Sequence, residues 1–309
     1  MTRGPKYARA TDLPDELKSV GAINAYEIGP DLVRVACQLS DEDETVGQLA
    51  ILHVSMTTGA VAIEKIFDDI YMSFQSDRGL RDILLVVGNI VQVRAEGGWD
   101  FNLLESRFLI EAFTLADQAD FAFGSDGDIF RRLPGGVWLK DPVPTDNRIM
   151  AMHGTSLADL HAVGGAGTIL RAEGAGWRQI DAGLGRELRC VLVEGDAVTV
   201  AGDRGVAGQL RGDEFVHFET GIESDILSVC RFRGDLYFAD SEFGVHVLKG
   251  TAFEPVLEYG YVYRLQPGPE RMTATSAETI LQFDGTGWRA IELGHSATYT
   301  AEPVDLEEE

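Results

Sequence analysis

The chain has 309 residues, 45% of them hydrophobic, and a formal net charge of −24. That charge speaks against nucleic acid or an anionic membrane as a partner and speeds the approach of basic proteins. No run reaches 18 apolar residues, and the most apolar stretch, 83–93, is broken by Gly88-Asn89, so no membrane-spanning helix is expected.

Residues 1–19 read as an N-terminal arm that contains prolines and lacks the apolar centre of a secretory signal. A first set of four short strands is expected at 23–29, 32–39, 48–55 and 60–67, on alternation of apolar and polar residues alone. A second set surrounds 83–89, 90–98 and 99–105, with its innermost strand near 70–74. The third covers 109–117, 120–127, 129–136 and 137–144. The clearest set lies in 147–182, with strands at 148–153, 159–163, 168–172 and 177–181. Its turns carry Gly154-Thr155, Gly164-Gly165-Ala166-Gly167 and Gly174-Ala175-Gly176, the residues that sharp hairpins need. The plan repeats over 188–221, 226–260 and 261–294, and an acidic tail follows at 295–309; part of the arm or of the tail is the candidate for an added strand that closes the ring.

These sets keep a beat. Trp99, Trp138, Trp177, Phe215, Phe253 and Trp288 fall 39, 39, 38, 38 and 35 residues apart. Five of the six follow a Gly by three places: Gly135, Gly174, Gly212, Gly250 and Gly285. A strand-rich repeat of this length is the mark of a β-propeller blade. The expected fold is therefore all-β, a single propeller domain over 20–294 with seven four-stranded blades. Six blades is the alternative, if 23–67 is an extension. The aromatic at each beat is expected to fill the wedge between neighbouring blades, and not to form a ligand cage.

Residues 164–180 (GGAGTILRAEGAGWRQI) and 277–291 (AETILQFDGTGWRAI) resemble blades of the YVTN/WD40-like superfamily and of sialidase-type repeat propellers. They are closest to bacterial G-x-I-x-x-x-x-G-x-x-W repeats of the kind found in photosystem II assembly factors. The resemblance implies a fold and no particular activity. Asp284, Gly285 and Trp288 keep part of the sialidase Asp box without its leading Ser, and no blade closes on a Trp-Asp pair.

In such blades the second-to-third strand (B–C) turns and the blade-to-blade (D–A) connections share one face. Acidic residues recur in the expected B–C turns: Asp41, Glu42, Asp43 and Glu44; Asp126 and Asp128; Asp203; Asp240 and Glu242. Turns favour Asp for its own backbone chemistry, so the same pattern also reads as plain turn composition. Tyr259 and Tyr261 flank a D–A connection on that face, and exposed tyrosines beside acids are typical of protein-binding surfaces. Alternating tyrosines also suit an inner strand.

No catalytic residue and no cofactor is indicated. The six histidines form no H-x-H or H-x-x-x-H pair, and Asp126/Asp128 lack the Glu of a calcium loop, so no metal is expected. No G-x-S-x-G elbow is present. Three cysteines cannot all pair, and Cys190 and Cys230, counted back from Gly195 and Gly234, fall on opposite strand faces. Free thiols, and with them a cytoplasmic location, are expected. The function that fits is a non-catalytic binding module offering an acidic face to a basic protein, with an immunity or antitoxin-like role as one version. The alternative is a carbohydrate-active enzyme, a glycosidase or lyase, using channel carboxylates.

Overall fold

Alternating strand patterns separated by Gly-rich turns fold here, among the described residues, into 29 strands, each pairing with a neighbour in sequence. The computed structural model describes residues 12, 18–41, 46–76, 81–86, 88–95, 98–115, 119–174 and 176–306. Blade 1 comprises β1 (Ser19–Gly29), β2 (Leu32–Ser40), β3 (Gly47–Ser55) and β4 (Val61–Phe67). Blade 2 has β5 (Tyr71–Ser76), β6 (Asp82–Val86), β7 (Ile90–Ala95) and β8 (Gly98–Leu103). Blade 3 has β9 (Leu109–Leu115), β10 (Ala119–Gly124), β11 (Ile129–Arg132) and β12 (Trp138–Lys140). Blade 4 has β13 (Ile149–His153), β14 (His161–Gly164), β15 (Ile169–Glu173) and β16 (Gly176–Gln179). Blade 5 has β17 (Leu188–Glu194), β18 (Ala197–Gly202), β19 (Ala207–Arg211) and β20 (Glu214–His217). Blade 6 has β21 (Ile226–Phe232), β22 (Asp235–Asp240), β23 (Gly244–Lys249) and β24 (Ala252–Glu258). Blade 7 has β25 (Val262–Pro267), β26 (Met272–Ser276), β27 (Thr279–Phe283), β28 (Trp288–His295) and a fifth strand, β29 (Tyr299–Val304).

The fold is thus a β-propeller of seven blades, and residues 19–67 form a full blade of their own. The blades have four strands each, and the last sheet gains one more. Residues 299–304 pair antiparallel with residues 290–295 of β28, Tyr299 opposite His295 and Val304 opposite Ala290. Tyr299 and Ala301 are buried in the core of that region, which supplies the apolar contact an added strand needs.

The chain divides into two compact units, residues 1–74 with 264–309, and 75–263. In the first, Ala22, Val33, Val35 and Leu52 of blade 1 pack with Ile280, Ile291 and Leu293 of blade 7. In the second, one apolar layer separates each pair of successive blades, and four aromatics of the beat lie in these layers. Trp138 packs on the layer holding Ile83 and Leu85 of blade 2. Trp177 meets Phe121 and Ile129 of blade 3, Phe215 meets Val163 and Ile169 of blade 4, and Phe253 meets Cys190 and Ala201 of blade 5. Each stands at the head of its blade's outermost strand and faces the blade before it. Burying such a ring contributes about 2–3 kcal/mol.

The innermost strands of blades 3 to 6 share a defect. Pairing slips by one residue beside Leu109, Ile149, Leu188 and Ile226, a β-bulge at the same end of four blades. Register also corrects the placing of the cysteines. The hairpin Gly195-Asp196 has its Gly first, whereas Arg233-Gly234 has its Gly second, so Cys230 is equivalent to Leu192 and not to its neighbour. Cys190 and Cys230 therefore lie on the same face of their strands, two residues apart in register. Leu192 packs against the same core cluster that holds Cys190. All three cysteines are free and buried.

Candidate functional site

A four-residue element, Gly-x-x-Gly, builds the B–C turns of blades 3, 4 and 5: Gly124–Gly127, Gly164–Gly167 and Gly202–Gly205. The first Gly is extended and approaches the D–A connection before its blade. A Cβ there would lie 2.1 Å from the Phe108 carbonyl oxygen, 1.9 Å from that of Arg148, or 2.1 Å from that of Glu187. The last Gly has a positive φ and approaches the connection after its blade, where a Cβ would lie about as close to the carbonyls of Thr145, Leu184 and Ile222. The residue between is left-handed: Asp126 at φ 58°, Ala166 at φ 52°, Arg204 at φ 51°. Backbone hydrogen bonds fasten each turn down, Ser125 N–H to Phe108 O, Gly165 N–H to Arg148 O and Asp203 N–H to Glu187 O, all 2.9 Å. Blade 6 repeats this with Ser241 N–H to Asp225 O at 3.0 Å. The face is a continuous run of interlocked turns across blades 3 to 6.

Each acid expected on this face has its own place. Asp126 is exposed at the left-handed apex of its turn. Asp128 is buried and ion-paired with Lys140. Asp203 is half-buried and accepts from Arg189 Nε at 2.6 Å, and Arg189 also reaches Glu187 at 3.4 Å and Asp225 at 3.3 Å. Asp240 is fully buried. It accepts the N–H groups of Glu242 at 2.7 Å and Phe243 at 2.6 Å and pairs with His246 Nε2. Burial opposes its ionisation, but the His246 bond and the two amide bonds outweigh that and hold its pKa below the usual carboxylate range. Glu242 is exposed at the tip of the same turn.

Asp41, in the other unit, accepts the Val46 N–H at 3.0 Å. Glu42, Asp43 and Glu44 lie outside the described residues. Tyr259 is half-buried, and its backbone crowds Gly244, so it adjoins the Asp240–Gly244 turn. Tyr261 is 52% exposed, with its ring centroid 5.5 Å from that of Tyr263. The structure thus brings Glu242 and Tyr259 to neighbouring backbone, and it ties Asp128, Asp203 and Asp240 to cationic or imidazole partners. Those partners, Lys140, Arg189 and His246, escaped the sequence reading. They stand 12, 14 and 6 residues from their acids, across a strand pairing whose register only the fold reveals. The Gly-x-x-Gly spacing was the one signal in the sequence that marks the scaffold itself.

Among the described residues no group of three or more His, Cys, Asp or Glu is placed to hold a metal ion, and no helix is long and apolar enough to cross a membrane.

No family model and no curated protein sequence matches the chain. Solved structures do resemble it in fold. The computationally designed Ika8 protein superposes with a TM-score of 0.65 at 10% identity, covering 93% of this chain and 97% of that one. The WD40 β-propeller domain of Doa1 gives 0.63 at 9% identity, covering 86% and 94%. YCF48 bound to D1 peptide gives 0.56 at 11% identity, covering 78% and 94%. At these identities the likeness shows the fold alone.

Proposed function

We propose that this chain is a non-catalytic binding propeller whose B–C and D–A loop face receives a partner protein, and that the partner is basic. The observation that carries this is the turn architecture. Interlocked Gly-x-x-Gly turns hold their apices in fixed positions, and Asp126, Glu242 and Tyr261 are exposed on this preorganised frame. A surface ordered before binding loses little entropy on association, and a net charge of −24 steers a cationic protein toward it. A solved propeller of this fold, YCF48, holds a peptide, which supports a polypeptide as the kind of ligand. An immunity or antitoxin-like protein, neutralising a basic toxin by charge complementarity, is the concrete version of the proposal.

The test is affinity capture from the native host at low ionic strength with the full chain and with the triple variant D126N/E242Q/Y261A. The expected result is a basic protein held by the parent chain and lost from the variant. Recovery of no basic protein, or equal recovery by both chains, overturns the proposal.

A further inference from the structure

At least eleven of the 21 arginines in this acidic chain meet a carboxylate, Arg34, Arg148, Arg178, Arg189 and Arg289 among them. Arg186 and Arg204 do not, among the described residues, and both line one cleft of about 380 Å³. Its walls come from three segments of blades 4 and 5. These are the connection Gly183–Arg186, the turn and strand start Arg204–Ala207, and His217-Phe218 at the end of β20.

The cleft is built, and its cations are positioned. Arg186 Nη1 donates to the Arg204 carbonyl at 2.9 Å, so one arginine fixes the backbone of the other. The Arg204 N–H is held by Asp225 Oδ1 at 3.0 Å, and the Arg204 residue is exposed. Arg204 occupies the left-handed apex at φ 51°, a conformation that costs a long side chain about 1 kcal/mol and that Asn or Gly takes more readily. Val206, Ala207 and Phe218 supply apolar wall beside the charge. The acids beside the cleft are already engaged: Glu187, next to Arg186, pairs with Arg148 and Arg189, and Asp225 pairs with Arg189 at 3.3 Å.

We propose that this cleft binds a small organic carboxylate. Guanidinium groups recognise a carboxylate through paired N–H donors, and the apolar wall takes a hydrocarbon body that a bare inorganic ion lacks. The volume lies at the lower end of small-ligand pockets. Two local cations offset the repulsion that the remaining acidic chain exerts on an anion, so binding weakens as salt rises. The site is independent of the partner-protein reading, because the exposed groups invoked there are Asp126, Glu242 and Tyr261.

The experiment is an NMR titration of the full chain at low ionic strength with glutarate, its neutral diamide and inorganic phosphate. The chains compared are the parent, R186Q, R204N and the control R211Q, whose arginine is exposed outside the cleft. Glutarate is expected to shift the amides of the 183–186 and 204–207 segments, with affinity at least tenfold weaker in R186Q and R204N and unchanged in R211Q. R204N keeps the melting temperature of the parent chain or raises it, because Asn accepts the left-handed apex, so lost binding there is not lost folding. No shift with glutarate, equal response to the diamide, phosphate binding as tightly as glutarate, or unchanged affinity in both cleft variants would each overturn the proposal.

Discussion

Asp240 shows what a buried acid needs in order to stay charged. Two amide donors and His246 surround it, and its pKa is depressed although burial alone would raise it. A carboxylate whose folded pKa lies below its unfolded value adds stability above the unfolded value near about 3.9, and that gain is lost as pH falls through the folded one. Asp240→Asn is expected to cost about 1–3 kcal/mol at neutral pH, by leaving the buried His246 poorly partnered. Denaturant titrations from pH 7 to pH 3 should show the gap from the parent chain narrowing at the acid end. At the thiols burial meets no such opposition, pushing Cys37 up to about 12 and raising Cys230, with Glu194 adding to the effect there. Ellman's reagent at pH 8 should therefore find no reactive thiol in the folded chain and three after unfolding.

At the scale of elements, the turns and the aromatic wedges carry distinct loads. In the Gly-x-x-Gly turn of blade 5, a methyl at Gly202 would strike the Glu187 carbonyl, backbone against backbone. Gly195, in the hairpin at the other end of the same sheet, has φ 61° with open space around it. Gly202→Ala is expected to cost about 3 kcal/mol or more through forced displacement of the D–A connection, and Gly195→Ala only about 1 kcal/mol through φ. Equal losses in thermal melts would contradict the interlocking of turns. Trp177 fills the layer between blades 3 and 4 and is 9% exposed. Trp177→Ala should cost about 3–5 kcal/mol by equilibrium unfolding. The indole N–H lost with it leaves Asp141 paired with Arg131 alone.

For the whole molecule, what the sequence revealed and what it hid follow from the range of each interaction. The blade plan was legible because every blade is local. Strands pair with their sequence neighbours, glycines stand where hairpins turn, and Trp138, Trp177, Phe215 and Phe253 mark outermost strands without any knowledge of the rest. The strand bounds expected in 147–182 differ from those observed by at most two residues. Strand β29 was legible only as one of two candidate segments for closing the ring, because its warrant is a distant one: Tyr299 is buried with residues of blade 1, and its hydroxyl donates to Gln48. The cysteine register was misread because a hairpin Gly takes either of two turn positions. The expected acidic face was legible only as composition. Asp128, Asp203 and Asp240 take partners on the same blade, so the charge left for a partner protein rests on residues such as Asp126 and Glu242.

That residual surface, offered to a basic protein, is the central claim, and the dependence of association on ionic strength tests it most directly. The measurement is the affinity of the captured basic protein for the parent chain and for D126N/E242Q/Y261A, taken between about 50 and 500 mM salt, a range over which surface charges become screened. The predicted result is a parent affinity that falls steeply with salt and a variant affinity that is weak throughout and nearly flat. An association that is indifferent to salt, or one that the variant reproduces at every ionic strength, would contradict the account.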